Sequence, residues 1–467
     1  MSGTGILTQP VVRLTHHPLQ RAGAFALLQL AGLDPVQRHP ESLTETEFRT
    51  AWHTMTEDVV ATARLRDAKA PGAFWLAASY IFWPNSKMNL SIRATLTERQ
   101  RAEQIQSWRA LPDAASPALP GVPCILCGQA ACGFYGKVDV PLATRVGERN
   151  STVPGHDGLA LCRGCLASFY ALPYGCDIRD VASVLHSWDD ATLACFTARQ
   201  VRYTRDRIAA KPAGQPYSRE AQALRALRSC NDPLRDGVAL HVFSNSNKRQ
   251  FVEVYEVDQP LAEWVRSAMR SPDVREGFRY LVRAHYSPEF SGSGRLAYNI
   301  FRYPHRVPMR VADFLSQLTA EEGAPPPETE ALAQLYRSLL TEAFGVARHE
   351  IDQITRLGIS IGTLLKKEPG RVARGALSEF VHAQSGGEPL RAWLMRQATK
   401  LTLDASTTQP LVTTEQWRLL FEPGDRVRFN RDLLLVAVLE QLARHRWLSG
   451  TPGDRDDWDD DILIAHE

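Results

Sequence analysis

The apolar positions open with a block from Ala22 to Leu33, which follows Pro18 and ends in Asp34-Pro35-Val36-Gln37-Arg38. Twelve residues with a turn behind them and no small-residue cleavage site predict a buried helix, not a secretory leader. Thr44-Glu-Thr-Glu47 offers N-cap and capping-box chemistry for a second helix, along which Phe48, Trp52 and Met55 recur at a helical period. Phe74 to Trp83 is aromatic and apolar and stops at Pro84-Asn85-Ser86, a buried segment leading into a polar loop. Val238 to Tyr255 reads differently. There Ala239-Leu-His-Val-Phe243 and Gln250-Phe-Val-Glu-Val-Tyr255 flank Ser244-Asn-Ser-Asn-Lys-Arg249, the pattern of two antiparallel strands around a turn.

Beyond residue 309 the period becomes helical: Leu332, Leu335, Tyr336, Leu339, Leu340 and Phe344 share a face, and Leu433 to Leu442 form a strongly apolar last helix. The expected fold is α+β, a mixed N-terminal part with an inserted four-cysteine zinc-finger module and a C-terminal helical bundle. The expected divisions are a mixed α/β region over 1–120, a zinc-binding module over 121–180, a basic α/β region with the hairpin over 181–308, the bundle over 309–450 and an acidic tail over 451–467. Four prolines between Pro112 and Pro123 mark a linker into the module.

Composition adds little by itself: 44% hydrophobic, 23% charged and a net charge of +2 describe an ordinary globular chain of 467 residues. No run approaches the eighteen apolar residues of a transmembrane helix, so no membrane partner and a cytoplasmic location are expected. The cysteines carry more information. Cys124-Ile-Leu-Cys127 and Cys162-Arg-Gly-Cys165 are two C-x-x-C turns, each able to offer two thiolates to one ion, separated by 34 residues that must loop out while their ends converge. Four thiolates close a tetrahedral shell and leave no position for water, so one structural zinc is expected, in a reducing compartment. Cys132, Cys176, Cys195 and Cys230 lack paired spacing and read as buried small apolar residues.

Two catalytic readings compete. His39-Pro-Glu41 with Pro123-Cys-Ile-Leu-Cys127 spells the H-x-E and P-C-x-x-C elements of zinc deaminases, but leaves Cys162 and Cys165 unexplained. A zinc-knuckle nuclease would use His156 or Asn150, yet no paired histidine motif accompanies them. There is no phosphate-binding G-x-x-x-x-G-K-[ST] and no G-x-G-x-x-G opening a helix, so the chain is expected not to be an enzyme.

The neutral total hides a local bias. From Arg199 to Arg310 there are twenty Lys or Arg against eleven Asp or Glu. Within that stretch Arg199, Arg202 and Arg205 form a run with Tyr203, and Asn245, Asn247, Lys248 and Arg249 occupy the hairpin turn, where amides and cations suit phosphates or base edges. Lys137, Arg145, Arg149 and Asn150 lie between the cysteine pairs, and Lys366, Lys367 and Arg371 give the bundle a cationic patch. A solvated helix face and ordinary turn chemistry account for the same residues without nucleic acid.

Ordered along the chain are His17-Pro-Leu-Gln-Arg-Ala-Gly23, Phe82-Trp-Pro-Asn-Ser86, Pro141-Leu142, Gly158-Leu-Ala-Leu-Cys-Arg-Gly-Cys165 with Leu172-Pro-Tyr-Gly175, and Arg431-Asp-Leu-Leu-Leu435. In that order and spacing the chain resembles the large subunit of type I CRISPR interference complexes, of the type I-B lineage with two C-x-x-C motifs. The resemblance implies a non-catalytic subunit of a Cascade particle that contacts the protospacer-adjacent motif, helps open duplex DNA and recruits a helicase-nuclease or a transposition factor. It implies guide RNA, target double-stranded DNA and the backbone, 5′-handle-binding and guide-processing subunits as partners. It also implies that a small subunit of residues 309–467 can start at Met309. The alternatives are a stand-alone zinc-containing DNA-binding or scaffold protein and a zinc-dependent nucleic-acid hydrolase or deaminase.

Overall fold

Helix formation begins where Pro18, with its preset φ, follows His17, whose ring caps the first turn by accepting from Gln20 N. The computed structural model describes residues 9–70, 72–114, 121–144, 158–209, 218–367, 370–403 and 410–447, and divides into two units, Met1–Glu256 and Val257–Glu467. The class is α+β, with two small sheets and a helical C-terminal unit.

In the first unit α1 (Pro18–Leu30) is buried almost all round. It is followed by α2 (Glu45–Val60), α3 (Phe74–Phe82) and α4 (Glu98–Trp108). The capping box expected at Thr44 and Glu47 is present, and Thr97 with Gln100 repeats it on α4. A two-stranded antiparallel sheet, β1 (Gly133–Tyr135) and β2 (Leu159–Leu161), leads into α5 (Arg163–Ala171). The second sheet has the order β3-β4-β5-β6, made of β3 (Asp177–Ile178), β4 (Ala182–His186), β5 (Val238–Asn245) and β6 (Gln250–Val257). Between β4 and β5 run α6 (Asp190–Ile208) and α7 (Arg219–Ser229). The hairpin therefore forms where its alternation placed it, with β5 buried and β6 on the exposed edge.

α5 lies against α1 at backbone distance. A Cβ on Gly23 would fall 1.9 Å from the Ser168 carbonyl oxygen, and one on Gly164 would fall 2.3 Å from that of Val11. The polar group at this contact is fully used: buried Gln20 donates to Arg13 O and Ser168 Oγ and accepts from Thr15 N and Oγ1. Behind α5 sits an aromatic core holding a buried cation. The Arg109 guanidinium lies 3.3 Å from the Tyr170 ring centroid, 4.1 Å from Trp108 and 4.3 Å from Trp83. Burial lowers its pKa to about 10, against the pull of Tyr170 and of Asp139, which accepts from Trp108 Nε1 and Tyr170 Oη.

Two expectations about cysteines and boundaries are corrected. Cys195 on α6 and Cys230 after α7 are joined in a disulfide, 35 residues apart in sequence, because the packing of those two helices brings together positions whose spacing carries no motif. Residues 257–308, grouped in the sequence with the hairpin because of their charge, are helical and belong to the second unit: α8 (Gln259–Ala268), α9 (Pro272–Ala284) and α10 (Gly292–Arg302). Their apolar positions, such as Leu261, Trp264 and Val265, then Val274, Phe278 and Leu281, already repeat at a helical period and are buried.

The remaining helices are α11 (Arg306–Glu322), α12 (Thr329–Ser338), α13 (Arg348–Lys367), α14 (Gly370–Ala383), α15 (Gly387–Leu403), α16 (Thr414–Phe421) and α17 (Val427–Arg444). Met309 is interior to α11 and marks no boundary. A product starting there would also lose α9, which packs so tightly on α12 that a Cβ on Gly277 would sit 2.4 Å from Ala331 O. α17 is the centre of this unit. It packs on α13 at Gly358, where a Cβ would meet Ala437 Cβ at 2.5 Å, and pairs Glu440 with Arg337 of α12 at 2.5 and 2.9 Å.

A methyl at Gly23 has only backbone to displace, so Gly23→Ala is expected to lower the first unit's stability by about 2 kcal/mol or more. Urea unfolding followed by tryptophan fluorescence measures this, and an unchanged midpoint would refute the backbone contact.

The diagonal pair His186 and His241 on β4 and β5 gives a second expectation. Burial, with each ring's charged neighbours adding, pushes their pKa values down to about 3 and about 4. The unfolded chain protonates first as pH falls through about 6.5, so stability is complete above that value and drains away toward pH 4. Each histidine should forfeit roughly 1–2 kcal/mol by pH 5. A His186→Gln, His241→Gln chain should show a visibly flatter urea midpoint between pH 7 and pH 5.

Candidate metal centre and nucleic-acid interface

The first cysteine pair is built by a tight knuckle. Gly128 N donates to Cys124 O at 2.9 Å and Cys124 N to Gln129 O at 2.6 Å, a closure that needs the left-handed backbone of Gly128 at φ 76°. Ile125 N donates to Ala160 O at 2.9 Å and Cys132 N to Leu161 O at 2.8 Å, which fastens the knuckle to β2. The pairing Gly133↔Leu161 then closes the base of the long insert and returns the chain to Cys162. Cys162 is the N-cap of α5, its sulfur accepting from Cys165 N, so the second pair stands at a helix N-terminus where the dipole favours thiolates.

All four sulfurs lie within 4.8 Å of one another, and Cys127 and Cys162 approach to 3.4 Å. Sulfurs at about 2.3 Å from a tetrahedral ion sit about 3.8 Å apart, so the spacing fits one metal ion. Three of the cysteines are buried and Cys127 is half-buried. The first thiolate is held low in pKa by its neighbours' S–H groups, as at Cys124, while Cys165 is pushed well up by the same neighbours and then by burial. Four thiolates here need a cation to balance them. Cys132 stands outside the group, its sulfur contacting Tyr135 Oη and Leu161 O.

His39 and Glu41 are occupied elsewhere. His39 Nε2 is 3.2 Å from Asp190, its Nδ1 accepts from Glu41 N, and Glu41 accepts from Leu14 N at 2.9 Å. Among the described residues, the group able to hold a metal contains the four cysteines and no histidine or carboxylate. His156 and Asn150 lie outside the described residues.

The residues expected to meet nucleic acid divide sharply. Asn245 is fully buried and structural: its amide donates to Phe82 O at 2.8 Å and Lys137 O at 3.0 Å and accepts from Gln250 Nε2. Its place as a base reader is corrected, because every polar atom of the amide is used in tying three chain segments together. Asn247, Lys248 and Arg249 are exposed at the hairpin tip. Asn247 donates to Asn85 Oδ1 at 2.9 Å, and Arg249 lies over Phe251 and near Glu253.

Those two amide contacts dock the 82–87 loop on the hairpin, which adds exposed Asn85 and Lys87 to the same surface. Neither was singled out from sequence as a binding residue; Asn85 carries a signal, a positive φ of 66° at a non-glycine residue, that only the backbone reveals. Lys137 is half-buried beside them, and Arg145, Arg149 and Asn150 follow outside the described residues. On α6, Arg202 and Arg205 are exposed while Arg199 is half-buried and engaged. Lys366 and Lys367 end α13; Arg371 is on α14, with its side chain outside the described set.

Set against family models, curated proteins and solved structures, the chain matches none of them. Among the described residues no helix is long and apolar enough to cross a membrane.

The metal centre predicts a measurable stoichiometry. Elemental analysis of the purified chain should find about one metal ion per chain. Cys165→Ser should lose it together with several kcal/mol of first-unit stability, whereas Cys132→Ser keeps it. Equal metal content in the two variants would remove Cys165 from the site.

Proposed function

We propose that the chain is the non-catalytic large subunit of a CRISPR RNA-guided DNA-surveillance complex, reading the protospacer-adjacent motif with the surface at the hairpin tip. The observation that carries this reading is the docking of the 82–87 loop on the hairpin through Asn245 and Asn247, which gathers exposed Asn85, Lys87, Asn247, Lys248 and Arg249. Amides that can reach base edges beside cations that can hold phosphates are the two components a short-motif reader needs. The resemblance in Phe82-Trp-Pro-Asn-Ser86 and around the second cysteine pair supports it from sequence.

On this reading the metal is one zinc, structural because thiolates fill its shell, and it fixes the knuckle and the β1–β2 base from which the 137–144 segment reaches Asn245 and Gln250. Guide RNA, target duplex and the other Cascade subunits are the partners, and strand cleavage or transposition belongs to a recruited factor. The location is cytoplasmic. Thiols there stay reduced, so Cys195 and Cys230 are a dithiol in the cell, set side by side by α6 and α7.

The cysteine cluster alone fits equally a stand-alone zinc-containing DNA-binding or scaffold protein. Co-expression with the neighbouring genes separates the two readings. The surveillance subunit should copurify in an RNA-containing particle with about one zinc per copy, whereas a stand-alone protein purifies RNA-free. Within the particle, Lys87→Ala with Lys248→Ala should weaken binding to motif-bearing duplex about tenfold or more and lower the salt slope by about two. Unchanged affinity and slope would move the reader away from the hairpin tip.

A further inference from the structure

The second unit holds a cavity of about 490 Å³ between α11, α14 and α17, a volume typical of a small-molecule site and ample for a mononucleotide. Its walls include the apolar side chains of Leu377, Val381 and Leu435. Three polar atoms in its lining are buried and find no hydrogen-bond partner among the described residues: Thr319 Oγ1, Gln384 Nε2 and Asp432 Oδ2. Thr319 is only 2% exposed, so its hydroxyl has no route to bulk water. Arg428 Nε stays 3.8 Å from Asp432, too far for a hydrogen bond. Unsatisfied buried groups of this kind cost about 1–3 kcal/mol each, and three in one lining mark a place where a ligand supplies the partners.

The chemistry narrows the ligand. An unmet acceptor, an unmet donor and a hydroxyl that is both suit the mixed edge of a heterocyclic base, whose faces suit the apolar walls. At the mouth, exposed Arg374 and Arg428 face a single exposed carboxylate, Asp313, so the rim favours an anion. Inside, burial raises the Asp432 carboxyl to about 7, with Arg428 opposing and Asp313 adding, so it can offer either protonation state to a base edge near neutral pH.

We propose that this cavity binds a nucleotide, with the base inside against Thr319, Gln384 and Asp432 and the phosphate at Arg374 and Arg428. The ligand is either a free mononucleotide or one residue of a single strand. The site is separate from the hairpin-tip surface, and Lys87→Ala with Lys248→Ala should leave it unchanged.

Calorimetric titration of the full chain with the four nucleoside monophosphates, with ribose 5-phosphate and with a short single-stranded oligonucleotide tests the assignment. At least one monophosphate or the oligonucleotide should bind about tenfold or more tighter than ribose 5-phosphate. Thr319→Val and Asp432→Asn should each cut that binding about tenfold while the melting temperature holds, and Arg374→Ala should weaken monophosphate more than nucleoside. Monophosphate that competes with the oligonucleotide identifies a free ligand as sufficient; binding by the oligonucleotide alone, sensitive to Thr319→Val, identifies a strand residue. The proposal is overturned if ribose 5-phosphate binds as well as the nucleotides, if nothing binds at millimolar concentration, or if both cavity variants bind like the parent.

Discussion

The first unit depends on one steric fact, the backbone contact between α1 and α5. Ser168 presses its carbonyl against Gly23, and Gly164 sits under Val11, so α5 approaches the N-terminal segments more closely than any side chain would allow. That contact sets where the N-terminus of α5 stands, and Cys162 and Cys165 are that N-terminus. It also sets where Tyr170 stands, and Tyr170 is the nearest face of the aromatic enclosure around Arg109. Metal centre and aromatic core are thus two ends of one nine-residue helix. A metal ion that gathers the cysteines would therefore reinforce the same helix placement that the glycines permit, coupling ion binding to the fold of the whole unit.

Buried charge at Arg109 makes that placement demanding. A guanidinium taken fully out of water is costly unless rings and dipoles replace the lost hydration, and here three aromatic faces and Asp139 surround it. Its Nε and one Nη nevertheless find no partner among the described residues. Such a site tolerates no partial assembly, because loss of one ring leaves the charge exposed to an apolar interior. The consequence is specificity: compact alternatives to this packing bury the same charge with worse compensation.

Much of this was legible in the chain, and the exceptions have a common cause. Local chemistry was readable: the Thr44 capping box, the α1 block, the hairpin and the convergence of two C-x-x-C turns each depend on residues close in sequence or on a ligand geometry with few solutions. The Cys195–Cys230 pairing was not, since it follows from how α6 and α7 pack, and spacing carries no trace of that. Asn245 was misread for a related reason. An asparagine in a turn and an asparagine clamping two carbonyls from distant segments are identical in sequence, and only the positions of Phe82 and Lys137 separate them. The 257–308 stretch was assigned by charge when its apolar period, the stronger signal for packing, already matched the helices that follow.

The correction at Asn245 strengthens the interface it was taken from. A base reader must be held at fixed height and angle, which a free hairpin tip cannot do. By spending its amide on Phe82 and Lys137, Asn245 anchors the tip at its root, and Asn247 ties the outer end to Asn85, whose left-handed backbone turns the 82–87 loop back onto the hairpin. The exposed cations then project from a platform of three crossed segments in place of a flexible turn. A residue absent from the recognition surface is in this way the one that makes the surface rigid, and replacing it should blur recognition without removing a single contact to the ligand.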